Sequence, residues 1–291
     1  MPERKMDSRE LGLVLGQQLL GVDDLHYGLW HEDIERRIGN LPLAQQRYTE
    51  FLFTALPDPG EGVRVLDVGC GTGHILTQLL DRGYHVDGVS PAEGLTRLVR
   101  QRLAERDGHD TRIYASRFED LPFGKMAGRY DVILFSESFQ YINTDTALRE
   151  SARLLKAAGR MVICDFFKTG AVPRDSVEAR LIGGGHALAT FYDKVKQSAF
   201  DIRRDEEITR LVSPNIDVLN DCLLNTVKPA GETLWRYFSD HYPKLSWLAA
   251  RLLRRKLARL EDKYFSGRRD GAAFERLKTY HLLVLQRPIQ Y

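Results

Sequence analysis

Residues 65–73, VLDVGCGTG, constrain this chain more than any other stretch. VLDV is apolar and β-branched, as a buried strand requires, and HILTQLLD just after it has the apolar spacing of a helix. Glycine stands at 69, 71 and 73, between the two. Glycine accepts the positive φ of a tight strand-to-helix turn and lets the backbone approach a ligand closely. The helix that follows offers unpaired N–H groups and a partial positive charge to that ligand. Asp67, placed just ahead of the first glycine, completes a candidate binding turn.

The same strand–turn–helix pattern then repeats. HVDGVS is a second strand, followed by the helical PAEGLTRLVRQRLAER. TRIYASRF predicts a third strand, and YDVILFSES a fourth whose unbroken apolar run suits burial on both faces. The helix of TALRESARLLKAAG leads into a fifth strand, GRMVICDFF. This alternation predicts a parallel sheet with helices on both sides. HALATFYDKVKQSAF reads as a further helix, FDIRRDEEIT as a short strand and HLLVLQRP as the closing strand. The first 60 residues read as helical, with an apolar face along 43–56. The expected division is an N-terminal helical cap over 1–62, a Rossmann-like core over 63–214, a helical lid insertion over 215–278 and a final core strand over 279–291.

The charge balance, 42 basic residues against 40 acidic, points to no partner by itself. Residues 235–278 are different, with 12 Lys or Arg and 5 Asp or Glu. Such a segment could face an anionic surface or ligand, or be a solvated face. Cys70, Cys164 and Cys222 form no CxxC pair and have no metal-ligand spacing, so no metal is expected and a reducing compartment is. The charged start has no signal-peptide core and no run approaches a membrane span, so the chain reads as cytoplasmic.

VLDVGCGTG resembles the cofactor signature of class I S-adenosylmethionine-dependent methyltransferases. The resemblance implies a Rossmann-like methyltransferase fold, α/β, with a mostly parallel seven-stranded sheet. It implies that Gly69, Cys70, Gly71 and Gly73 form the loop that holds the amino acid part of S-adenosyl-L-methionine, whose product is S-adenosyl-L-homocysteine. Asp67 would orient its ammonium group. RFEDLPF, residues 117–123, matches the segment that places an acid near the adenine, implying Glu119 or Asp120 beside Phe118. YDVILFSESFQYI matches the fourth strand, whose end at Ser136 faces the methyl group. The family often ends its second strand in an acid that grips the ribose. Here Ser90 takes that place, with Asp87 three residues earlier, so two-pronged ribose binding is not expected.

A nicotinamide-dependent oxidoreductase is the competing class. Its fingerprint is G-x-G-x-x-G with an acid about 20 residues on. G-C-G-T-G does not match that spacing, and the acid after the second strand is missing. A nucleotide-binding module on the same fold without methyl transfer is a third class, favoured if the acceptor pocket were filled.

Methyl transfer from a sulfonium requires alignment, exclusion of water and, for some acceptors, removal of a proton. Candidate residues therefore come from loops at the carboxyl ends of the strands. Tyr27, in LHYGLW with His26 and Trp30, could close over the methyl group or the cofactor carboxylate. Gln140 and Tyr141, after the fourth strand, could orient the acceptor. His186, at the tip of GGGH, could act as general base from a mobile loop. The aromatic, arginine-rich segment 234–265 would cover the acceptor; its basic face could hold a phosphate or carboxylate, or rest on a membrane surface. No zinc knuckle, RNA-binding module or base-modification motif accompanies the core, which argues against nucleic acid. The expected acceptor is a small molecule, natural-product or lipid-like, methylated at O, N or C.

Overall fold

The computed structural model describes residues 16–18, 21–24, 26–60, 62–106, 110–173, 176, 183–265, 267 and 269–288. In chain order they form α1 (Leu41–Phe53), β1 (Arg64–Val68), α2 (His74–Asp81), β2 (His85–Val89), α3 (Glu93–Ala104) and β3 (Ile113–Tyr114). A four-residue helix α4 (Phe123–Met126), β4 (Tyr130–Ser136), α5 (Thr144–Leu154) and β5 (Leu155–Lys168) follow. Then come α6 (Leu188–Lys196), β6 (Asp201–Glu207), α7 (Thr209–Val212) and α8 (Pro214–Cys222). The last elements are α9 (Lys228–His241), α10 (Pro243–Tyr264), α11 (Gly271–Leu277) and β7 (Lys278–Gln286).

The seven strands form one sheet in the order β3-β2-β1-β4-β5-β7-β6. Strands β1 to β5 pair in parallel, and β7 runs antiparallel between β5 and β6. Side chains alternate across the central strands and divide the core in two. Val65, Leu134, Val162, Cys164 and Leu282 share one face with α1 and α2. Leu66, Ile133, Phe135, Ile163 and Leu283 pack on the other face with α5 and α6. Burial on both faces explains the continuous apolar runs of β4 and β5. At the outer edge β6 is almost entirely charged and exposed, which discourages pairing with another chain.

Three expectations change. The third strand is only two residues long, and Phe118–Asp120 turns instead into a 3-10 helix. Residues 21–24 and 26–37 are not helical, although 1–15 lie outside the described residues. Their N–H groups go to the rest of the molecule: Tyr27 N donates to Glu137 Oε1, Gly28 N to Asn215 Oδ1, Leu29 N to Ala44 O and Trp30 N to Leu211 O. A segment whose donors are satisfied this way has no need of its own helical ladder. The third change concerns the three-glycine loop before α6. Lys278 Nζ donates to Gly184 O, Lys168 N donates to His186 O, and a Cβ at Gly184 would lie 2.6 Å from Gln140 Oε1. The described part of the loop, 183–186, is thus packed down rather than free.

Candidate active site

The alternation of β1 puts Asp67 on the α1 face of the sheet, directly before the turn. The turn itself needs glycine: φ is +85° at Gly69, +52° at Gly71 and +81° at Gly73. Cys70 is buried with its sulfur against Gly88, so only its backbone faces the turn's outer side. Asp67 is 2% exposed, and its Oδ2 has no hydrogen-bond partner. Burial, with a smaller contribution from the charge of Asp24, pushes its carboxyl up to about 7. An uncompensated buried carboxylate is costly, and it invites a cationic ligand group.

Residues 21–24 and 26–30 cross this turn as a strap. Thr72 Oγ1 donates to Asp23 O, and His74 Nδ1, at the start of α2, meets Asp24 Oδ2. His26 Nε2 lies 3.2 Å from the same carboxylate, and His26 stacks on Tyr48. Burial opposes ionisation of Asp24, but hydrogen bonds from His26 and His74 outweigh it and hold the carboxyl well below its ordinary value. For buried His26 desolvation is likewise overcome by the bond to Asp24, and for His74 that bond is the main cause; both are raised above 6.5. The Asp24 contribution is present above 3.8 and lost as pH falls through the lowered value; the histidine contribution is complete below 6.5 and lost as pH rises through the raised values. Thermal midpoints of wild type and Asp24→Asn should therefore differ most between pH 3.8 and 6.5 and converge in alkali. A gap that does not change with pH would refute this role for the triad.

The end of β4 carries a carboxylate to which the sequence reading gave no role of its own. Glu137 has φ +52°, a left-handed conformation that costs a residue with a Cβ about 1–2 kcal/mol. Its Oε1 accepts from Tyr27 N at 2.7 Å and from the Tyr280 hydroxyl at 2.9 Å. Tyr48 joins this group, its hydroxyl 3.0 Å from Ser136 Oγ and 3.2 Å from Tyr280 Oη. Burial raises the Glu137 carboxyl above its ordinary value, against the pull of His26. Within β5, three residues before its end, Asp165 accepts from Gln140 N at 3.0 Å, Gln140 Nε2 at 3.3 Å and Phe166 N at 2.8 Å. Its carboxyl is pushed up to about 8, mainly by burial. The available signal was a carboxylate one residue after the apolar run VILF of β4 and another directly after MVIC of β5.

Several expected residues come together here. Asp67, Ser136, Tyr27 and Gln140 all sit at the carboxyl ends of β1, β4 and β5 or in the strap above them. Tyr27 packs edge-on to Phe274 and Tyr280. Tyr141 is exposed on the same 3-10 turn as Gln140. Ser90 directly follows β2 and is buried, accepting weakly from Ala92 N. Asp87 braces the sheet: it accepts from Tyr130 Oη and Arg112 N and pairs with Arg129. Phe118 is buried among Phe123 and Phe135, while Glu119 pairs with Arg117 and Asp120 is exposed. His186 is placed apart. Its Nε2 lies 3.1 Å from Phe139 O and its ring stands edge-on to Phe139, which belongs to the core on the other face of the sheet.

Comparison with known proteins agrees with this geometry. The family model described as a methyltransferase domain matches residues 65–159, spanning β1 to the start of β5. The methyltransferase GfsG of Streptomyces halstedii is 27% identical over 243 residues, 77% of this chain and 85% of that protein. Geranyl diphosphate C-methyltransferase from Streptomyces coelicolor A3(2), solved with Mg2+, geranyl diphosphate and S-adenosyl-L-homocysteine, superposes with a TM-score of 0.67. It is 17% identical, covering 94% of this chain and 92% of that one. The [4+2]-cyclase SpnF is equally alike in fold, with a TM-score of 0.65 at 18% identity over 97% of this chain and 95% of that one. Identities this low carry the fold and leave the substrate open. With the family match centred on the glycine turn and the strands that build its site, residues 65–159 form a methyltransferase domain, and the chain has the Rossmann-like fold of S-adenosylmethionine-dependent methyltransferases.

Proposed function

We propose that the acceptor is a small, largely apolar molecule of natural-product or lipid-like type, methylated at oxygen, nitrogen or carbon. Methyl transfer rests on the unpartnered carboxylate oxygen of Asp67 beneath a three-glycine turn, and the acceptor class on the aromatic side chains of the strap that closes over it. The residues fit S-adenosylmethionine: Asp67 would take its ammonium group, the backbone of 69–73 its carboxylate side, Ser90 one ribose hydroxyl and the 118–120 turn its adenine. When bound, it supplies a methyl group already activated as a sulfonium. Tyr27, half-buried, is the accessible edge of an aromatic cluster with the buried Phe166, Phe274 and Tyr280, and an apolar acceptor would pack against that edge while water is excluded. The geranyl diphosphate bound by the Streptomyces coelicolor enzyme joins an apolar geranyl chain of this kind to a charged diphosphate.

The proton released by a hydroxyl or amine acceptor has two buried carboxyls to receive it, Glu137 and Asp165. A group at about 8 is matched to work near neutral pH. Asp165 also fixes the turn that presents Gln140 and Tyr141. His186 is better placed to tie the loop before α6 to Phe139 O. Turnover should then climb with pH to a plateau above about 8. Asp165→Asn should flatten that limb and lower kcat by roughly 100-fold, leaving S-adenosylhomocysteine affinity unchanged. His186→Ala should cost less than about tenfold. A larger loss in His186→Ala than in Asp165→Asn would return the base to His186. To test the acceptor class, methyl-labelled S-adenosylmethionine is offered with apolar alcohols, amines and polyprenyl compounds, and label is counted in an organic extract. Label appearing only in protein or RNA would contradict a small-molecule acceptor.

A further inference from the structure

Within residues 214–277 the helices have two different fates. α8 and α11 join the body of the protein: Asn215 bonds both backbone groups of Gly28, and Phe274 is fully buried against Tyr27. The hairpin of α9 and α10 does not. α9 buries no residue, and nine of the thirteen large apolar side chains exposed among the described residues lie on these two helices or at Tyr242 between them. Trp235, Tyr237, Tyr242 and Trp247 are thus turned to the outside. A monomeric soluble protein rarely leaves such a concentration uncovered without a use for it.

The outer face of α10 has a definite composition. Positions 244, 247, 248, 251, 252 and 255 follow the i, i+3, i+4 spacing of one helix face, and they are Lys244, Trp247, Leu248, Arg251, Leu252 and Arg255. All six are exposed, Trp247 by 65% and Leu252 by 71%, while Ser246 on the opposite side is buried. Residues 243–260 contain six Lys or Arg and no acidic residue. No helix among the described residues is long and apolar enough to cross a membrane.

We infer that the α9–α10 hairpin docks the enzyme onto an anionic lipid bilayer, with α10 lying in the plane of the interface. The mixture of groups selects this occupant. A second copy meeting the same face about a two-fold axis would set cations against cations. A nucleic acid would satisfy the arginines and tryptophan but leave Leu248 and Leu252 against water. A bilayer interface accepts both kinds: Trp247, Leu248 and Leu252 enter the headgroup–acyl boundary, and the lysine and arginine heads reach the phosphates. Each cation near such a surface contributes about 1 kcal/mol, roughly fivefold in binding. The inference does not depend on which acceptor is methylated.

The test uses the full chain with vesicles of phosphatidylcholine alone or of phosphatidylcholine with phosphatidylglycerol, read by flotation and tryptophan fluorescence. Binding is expected to the anionic vesicles only, with a blue shift of emission and weakening by salt. Arg251→Glu with Arg255→Glu should reduce binding at least tenfold, and Trp247→Ser with Leu252→Ser should remove the blue shift. Both variants should bind S-adenosylhomocysteine as the wild type does, which shows that they are folded. Failure to float with anionic vesicles, equal binding to both vesicle types, or binding unaltered in both variants would overturn the inference. So would a wild-type dimer that the substitutions convert to monomer without any vesicle binding, which would assign the face to a second copy.

Discussion

Replacing Asp67 with asparagine is expected to raise the dissociation constant of S-adenosylhomocysteine by about 10- to 100-fold while making the unliganded protein more stable. The binding loss follows from removing the charged partner of an ammonium group, a hydrogen bond to a charged group contributing about 1.5–3 kcal/mol. The stability gain follows from Asp67's environment. Its carboxyl is fully buried, one oxygen has no partner, and its ionisation is pushed from 3.8 up to about 7. For an acid raised in the folded state, stability is highest below 3.8 and is lost as pH rises through about 7. Above that pH the ionised group costs the folded state on the order of a few kcal/mol, and a neutral amide of the same shape avoids much of this. Binding and thermal midpoint should therefore move in opposite directions at pH 8. An Asp67→Asn protein that binds normally, or that melts well below wild type, would show that the carboxylate is structural.

Gly28→Ala is expected to lower the thermal midpoint by about 5–10 °C and to weaken S-adenosylhomocysteine binding at least tenfold. A Cβ at this position would sit 2.5 Å from Ala44 Cβ and 2.6 Å from the Ala44 carbonyl carbon. That neighbour is the backbone of α1, which cannot move aside, so the strap must shift. Overpacking of this kind costs about 1–3 kcal/mol, and roughly 2–4 °C follows per kcal/mol in a chain of this size. The shift would also pull Gly28 from Asn215 and Tyr27 N from Glu137. Gly39→Ala is the control, since nothing lies within 4 Å of the added atom. Equal behaviour of the two variants, measured by thermal melting and calorimetry, would remove the strap from the account of cofactor binding.

These two glycine and aspartate positions also show what a sequence can and cannot disclose. The requirement at Gly69 is local, a φ of +85° between a strand and a helix, so the nine residues around it announce it. The requirement at Gly28 is tertiary. It arises because the strap crosses α1, and nothing in LHYGLW specifies that crossing. The helical expectation for the N-terminal region failed for the same reason: its donors are satisfied by Glu137, Asn215, Ala44 and Leu211, which lie 15 to 187 residues away in sequence. The sheet was legible because β1, β4 and β5 are buried on both faces and are apolar at most of their buried positions, and a closing strand was readable in HLLVLQ.

Of the residues around the site, Asp67, Tyr27, Ser136 and Gln140 were named from their places along the chain, and the structure gathers them at one end of the sheet. Glu137 lay in the fourth-strand motif, where Gln140 and Tyr141 were preferred to it, and Asp165 was not named, because a carboxylate near a strand end looks the same in sequence whether it faces solvent or a buried tyrosine. His186 attracted notice as a titratable residue after three glycines, and only packing shows its ring against Phe139. The hairpin aromatics were expected to cover the acceptor. Their positions in α9 and α10 were readable; the outward direction of Trp247 and Leu252 was not.

The central claim is that the glycine turn over Asp67 binds S-adenosylmethionine and not a nicotinamide nucleotide. Calorimetric titration of the full chain with S-adenosylhomocysteine, and separately with NADH, tests it most directly. Micromolar binding of S-adenosylhomocysteine, weakened in Asp67→Asn, with no heat from NADH, is the predicted result. Binding of NADH without S-adenosylhomocysteine would contradict the account.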